Sequence, residues 1–541
     1  MTNSADSGAR ALVAATASVG LFIALSCPDA RSLTFAFSFS EKQEDRADAH
    51  LERGLQLAQA GELQSAEGEL RTAVALKPAD AEFLSSLATV LAMQKKLEES
   101  TALFEKALKI DPSDLRARGY LAANLWQLHR YAEAKQNLRI ILEAKPDNLQ
   151  AKLLFGMVSE NGGDYATAAT MLASVPDLVR EHPESIVALA NSYYRTGERD
   201  KAAAWLGELA NHPSGAPGAL LGAQAADNMQ DYATAESLLN SVPAGNPASG
   251  TARYRLAVVK FHARQYAESE RILQELLSAG QKRGEILRLL GWCYHERNRD
   301  EDALGTFREA VRLDPADEAN FLDLGALLLT ERRFSAALEL AKRTVSAFPA
   351  SPDALLQLGS IEVAMEQFTD AVKTYARALS LEPSSVDATA GLAKAQAGAG
   401  MAQRAKTTLE EAIRQFPGKA AFELQLALLI LKENDDGNAA SQVHAEQLLH
   451  AAAEHDPTLA EAQSQLGELA LRRGQTALAL LHLENAVKLA PASSRTHFAL
   501  ARGYRRAGRT EEAAKETALY DQLKEKESPS VTSQPAVSPR E

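Results

Sequence analysis

Residues 83–94, FLSSLATVLAMQ, and 97–110, LEESTALFEKALKI, both space their apolar side chains three and four positions apart. That is the period of a helix with one buried face. A short polar turn, QKK, separates the two stretches and predicts a helical hairpin. The phrase that closes the second stretch, FEKALKIDPSD (104–114), returns at 307–317 as FREAVRLDPAD. The interval between such phrases is regular. Prolines at Pro78, Pro112 and Pro146, and again at Pro315, Pro349, Pro383 and Pro417, stand 34 residues apart. A fixed period of this length predicts stacked repeats, each too small to bury its own apolar face.

Small residues give a finer ruler. Gly54, Ala88, Ala122, Gly156, Ala190, Ala223, Ala257, Gly291, Gly325, Gly359, Ala393, Ala427, Gly467 and Ala501 form one column through fourteen cycles. A second column follows twelve residues later, among them Ala66, Ser100, Ala134, Ala303, Ala371 and Ala513. Only the pair Ala427–Ala445 is wider, by six residues, beside the polar stretch KENDDGN at 432–438. Where two helices cross closely, a large side chain would hold them apart, so Gly or Ala is required. The proline ends the second helix, because it has no N–H and clashes with the preceding turn. The Ser or Asp that commonly follows, as in PSD, PDN or PSS, is suited to cap the next helix.

This spacing resembles the tetratricopeptide repeat, whose unit carries a large residue, Leu and Gly/Ala in its first helix, then Ala, Phe, Ala and Pro. The cycle 284–317 supplies Leu287, Leu290, Gly291, Tyr294, Ala303, Phe307, Ala310 and Pro315; the cycle 81–114 supplies Leu84, Leu87, Ala88, Leu91, Ser100, Phe104, Ala107 and Pro112. Arg53 and Gly222 replace the expected Leu, Gln281 stands where Pro is expected, and the cycles near 149–213 shift their proline. The resemblance implies an all-α, right-handed superhelical solenoid of antiparallel helix pairs over 47–527, and a concave groove that holds peptides or partner proteins. By the family's register, first-helix positions three before, one after and four after the small column face that groove. In mid-chain these positions include Tyr254, Phe261, Arg288, Trp292 and His295, an aromatic and partly basic set of the kind that anchors a protein ligand. The opposing reading is that these side chains only pack between repeats. Ser85, Thr89, Gly119 and Ala123 occupy the positions where the family's peptide-clamp variant has Lys and Asn, which disfavours capture of a C-terminal chaperone tail.

Composition narrows the classes further. A chain of 541 residues that is 46% hydrophobic, 24% charged and only 6% aromatic is a folded one rather than a disordered one. Its net charge of −13 argues against wrapping nucleic acid or an anionic membrane surface. Two cysteines, Cys27 and Cys293, exclude a disulfide framework.

The ends read differently from the middle. After Arg10, the run ALVAATASVGLFIAL has the length and apolarity of a secretory signal and is short for a membrane-spanning helix. ALSC at 24–27 resembles a bacterial lipobox, in which Cys27 would be lipidated, although Ala24 stands where Leu is usual. Residues 1–26 therefore read as a signal peptide or membrane anchor, cleaved, lipidated or retained. Residues 27–46, including SLTFAFSFS, read as an extended linker, and the Pro/Ser-rich 528–541 as a disordered tail.

No phosphate loop, nucleophile elbow or zinc-protease motif occurs in the sequence. His444, His450 and His455, spaced six and five apart, do not share a helical face. Neither a catalytic residue nor a metal or other cofactor is called for. The expectation is an exported, non-catalytic scaffold or adaptor, periplasmic or attached to the envelope through its N-terminus, that binds a protein or peptide through its groove. Two alternatives stand beside it: an assembly factor for an outer-membrane or polysaccharide-export complex, and a sensory or regulatory subunit of an envelope enzyme system.

Overall fold

The computed structural model describes residues 30–433 and 439–527, with side chains for residues 45–433 and 439–525. Residues 1–26 read as a signal or anchor, Cys27 and the tail after 527 lie outside the described residues, as does most of KENDDGN. Among the described residues there are 29 α-helices, one 3-10 turn and no strand, and no helix is long and apolar enough to cross a membrane. The protein is an all-α helical repeat solenoid, paired helix to helix as the period predicts.

The chain divides into two compact units between Gln281 and Lys282, where the proline of the cycle is missing. The first contains seven hairpins, from Ala30–Gln59 with Leu63–Leu76 to Ser249–His262 with Tyr266–Ser278. The second also contains seven, from Gly284–Glu296 with Asp300–Leu313 to Ser494–Arg506 with Thr510–Glu527.

Each regularity of the repeat has a visible cause. The small column is small because the residue sixteen positions later lies against it. A Cβ added at Gly54, Gly156 or Gly467 would come within 2.6, 2.5 or 2.6 Å of Leu70, Leu172 or Leu483. Where the second small residue is Ser, it also ties the hairpin: Ser100 Oγ donates to the carbonyl of Ala88 at 2.6 Å, and Ser269 Oγ to that of Ala257 at 2.7 Å. Ser and Asp after the proline turn cap as expected, and Asn148 does the same. Asp80, Asp114, Asn148, Asp317, Ser351 and Ser385 each accept from backbone N–H groups of the next first turn. This satisfies donors that a helix start leaves unpaired.

In the thirteen hairpins whose turns are described, the chain passes through one left-handed residue between the helices. Gly fills it at Gly61, Gly163, Gly197, Gly400, Gly474 and Gly508, but Lys95, His129, Gln230, Arg264, Asn298, Arg332 and Glu366 adopt φ between 56 and 65° in the same place. The irregular cycles are local. Tyr165–Ala173, Arg199–Gly207 and Tyr232–Asn240 are nine-residue second helices, the first followed by a one-turn helix Pro176–Glu181 and the second by the 3-10 turn Glu208–Asn211. The wide cycle absorbs part of its extra length in Ala439–His455, a second helix of 17 residues against the usual 14.

One expectation is corrected. Residues 32–40, read as an extended linker, lie inside the helix Ala30–Gln59. Ala47 and Leu51 dock that helix on Leu70 and Phe83, and once a helix is nucleated by packing, extending it over further residues costs little.

Candidate functional site

The five residues singled out from the register fall in different units. Tyr254 and Phe261 are half-buried on Ser249–His262 of the first, and the Phe261 ring meets Tyr266 edge to face at 5.3 Å. Arg288, Trp292 and His295 lie on Gly284–Glu296 of the second, also half-buried. All three are engaged by their surroundings. Arg288 Nη1 pairs with Asp317 at 2.7 Å and its Nε with Asp323 at 3.1 Å, both on the following hairpin. Trp292 donates to Asp323, whose carboxyl burial pushes up while Trp292 and Arg288 hold it down. The indole also packs edge to face on Phe307 at 5.3 Å and on His295 at 5.7 Å. His295 Nδ1 lies 2.7 Å from Asp300 Oδ1. Thus the helix face chosen from the sequence carries bonds from one repeat to the next, in addition to whatever surface it offers.

An open site lies elsewhere in the first unit. A cavity of about 690 Å³ is lined by the first helices of three consecutive hairpins, Leu115–Gln127, Leu149–Asn161 and Pro183–Arg195, with Leu138 and Ile141 from the second helix Tyr131–Ala144. Its wall is mostly apolar, including Tyr120, Leu153, Leu154 and Met157; Arg116, Asn148, Gln150, His182 and Glu184 supply polar groups. The register that selected Trp292 also assigns Gly119, Trp126, Leu153 and Met157 to the groove. Gly119 keeps the space open: a Cβ there would meet only Ile141 Cδ1, at 3.8 Å. Tyr120 remains 42% exposed while stacking on buried Phe104, and Trp126 Nε1 donates to Asn161 at 2.7 Å, which orients the indole. A rigid wall with an exposed aromatic and aliphatic groups accepts apolar side chains of a ligand at little ordering cost. In the sequence Gly119 shows only as a groove position without a clamp side chain, and the open space above it has no residue type to announce it.

Three tetratricopeptide-repeat models match the chain, the first at 91–154, 229–293 and 362–429, the second at 51–114 and 464–523, and the third at 286–319; together they cover more than half of it. The chain belongs to the tetratricopeptide-repeat family. Among curated proteins it is similar to the BBSome complex member BBS4 of Bos taurus, 22% identical over 270 residues, which is 50% of this chain and 46% of that protein. It is also similar to the type IV pilus assembly protein PilF of Pseudomonas aeruginosa, 28% identical over 165 residues, 29% of this chain and 64% of that one. The chain thus spans less than two thirds of either relative. Among solved structures, yeast Tom70 aligns with a TM-score of 0.41 at 15% identity, over 89% of this chain and 100% of that one. The Cut9–Hcn1 hetero-tetramer aligns with a TM-score of 0.37 at 13% identity, over 87% and 98%.

Proposed function

We propose that this tetratricopeptide-repeat chain is a non-catalytic scaffold that holds an extended, largely apolar segment of a partner protein in the cavity above Gly119. The observation that carries the reading is the open space over Gly119, walled by Tyr120, Leu153, Leu154 and Met157 on three successive hairpins. Such a wall binds alternate apolar side chains of an extended chain, and the polar groups around it are placed to meet the segment's backbone. The test is affinity purification from the native host with the intact chain and with Gly119→Trp, which fills the cavity from a position with room for a side chain. Proteins enriched by the first and lost by the second, at equal melting temperature, support the reading. Equal enrichment by both refutes it.

A second, finer reading is an assembly role in the cell envelope. It is supported by the signal-like pattern of residues 1–26 and by the likeness to the pilus assembly protein PilF. Intact-mass measurement on envelope fractions tests the export half. A chain starting at or just after residue 27, with or without diacylglycerol mass on Cys27, supports it, and a full-length chain found only in the cytosol refutes it.

A further inference from the structure

Among the described residues, one group of three side chains brings metal-ligating atoms together: His295, Asp300 and Glu331, with one ligand atom from each within 4.8 Å of the others. His295 ends the helix Gly284–Glu296, Asp300 opens the helix Asp300–Leu313, and Glu331 caps the C-terminus of Glu318–Thr330 in the next hairpin. The site is therefore the place where two hairpin turns of the second unit lie side by side. The imidazole is half-buried and fixed edge-on against Trp292, with Asp300 at 2.7 Å. One oxygen of each carboxylate lies within 4.8 Å of the other. Nearby, Arg299 pairs with Asp302 at 2.7 Å and Arg333 with Glu301 at 3.4 Å.

The repeat itself does not ask for these residues. One cycle earlier the equivalent positions hold Phe261, Tyr266 and Arg297; one cycle later they hold Leu329, Phe334 and Met365. In the earlier cycle the pair packs as two rings, Phe261 on Tyr266. An imidazole beside a carboxylate has replaced ring packing here, and a second carboxylate has come in from the neighbouring turn.

We propose that His295, Asp300 and Glu331 bind a divalent transition-metal ion of the zinc class that clamps the two adjacent hairpins together. One imidazole and two carboxylates are a borderline donor set, suited to zinc more than to calcium or magnesium, which take oxygen donors alone. Bond lengths of about 2.0–2.2 Å in tetrahedral geometry put ligand atoms roughly 3.3 Å apart. Asp300 and the exposed Glu331 would have to turn to bring their oxygens to that spacing, with water or a partner's side chain as fourth ligand. The cation would also separate two carboxylates that otherwise repel. The site is independent of the cavity above Gly119.

The experiment is titration of the EDTA-treated, desalted full chain with zinc chloride, read by calorimetry and by melting temperature. One saturable equivalent and a raised melting temperature are expected, with affinity falling at least tenfold in the His295→Gln/Glu331→Gln pair. Should that pair fail to fold, His295→Phe/Asp300→Tyr, which restores the residues of the earlier cycle, gives the same readout. Absence of saturable binding by the native chain, or binding as tight by the folded variants, overturns the proposal.

Discussion

The ring of Phe307 occupies the space that a side chain on Gly291 would need. A Cβ at Gly291 would fall 2.8–2.9 Å from three ring atoms, and Phe307 is fully buried with the Trp292 indole against its edge. This contact, repeated as Gly359 on Tyr375 and Gly467 on Leu483, is why the first and second helices of a hairpin cross so closely.

Gly291→Ala should accordingly destabilise the protein. Alanine gains up to about 1 kcal/mol over glycine in a helix, but overpacking a closed core costs roughly 1–3 kcal/mol. Gly305→Ala is the control, because nothing lies within 4 Å of a Cβ there, and it should stabilise by up to about 1 kcal/mol. Urea melts of the two variants should move in opposite directions.

The left-handed turn position offers the converse change. Glu366 holds φ 59° and Gly400, one cycle on, φ 76°. A side chain in this region costs roughly 1–2 kcal/mol, of which glycine recovers part after its greater loss of chain entropy. Glu366→Gly should raise the unfolding midpoint modestly and Gly400→Ala should lower it, both readable by denaturant titration.

Trp292→Ala should cost stability toward the lower end of the roughly 3–5 kcal/mol seen for large aromatic truncations, since the indole is half-buried. It removes the edge contact on Phe307 and the bond to Asp323 together. A melting temperature unchanged by this substitution would show that the indole is not part of the packing between hairpins.

Glu362 gives a pH signature. Its carboxyl is buried and held above the ordinary range chiefly by burial, while Thr374 donates to it at 2.7 Å and pulls it down. A carboxyl whose folded value is raised costs stability at pH above that value, and the cost vanishes below the unfolded value. Glu362→Gln, which keeps the acceptor for Thr374, should therefore raise the melting temperature at pH 8 and leave it unchanged near pH 3.5. An equal gain at both would exclude the ionisation as the cause.

Much of the fold was legible in the sequence because each repeat solves the same local problem. The 34-residue interval, the columns through Gly291 and Ala303, the caps at Asp114 and Ser385 and the breaks at Pro112 and Pro315 all depend on neighbours one helix away. Contacts that close over sixteen residues or fewer leave a period in the chain that can be counted. The helical state of residues 32–40 was not legible, because their alternating pattern suits a strand and the helix is anchored further along, where Ala47 and Leu51 pack with Leu70 and Phe83.

The candidate sites depended on the tertiary structure for a different reason. The cavity over Gly119 is made by what three successive hairpins leave unfilled, and an unfilled volume has no residue type to announce it. His295, Asp300 and Glu331 are 36 residues apart from first to last, on no common helical face, and they meet only because adjacent turns stack. Sequence alone determined the repeating unit and the small residues its crossings require; which side chains from different units of that repeat stand within bonding distance was decided by the stacking, since that distance is set between helices rather than along them.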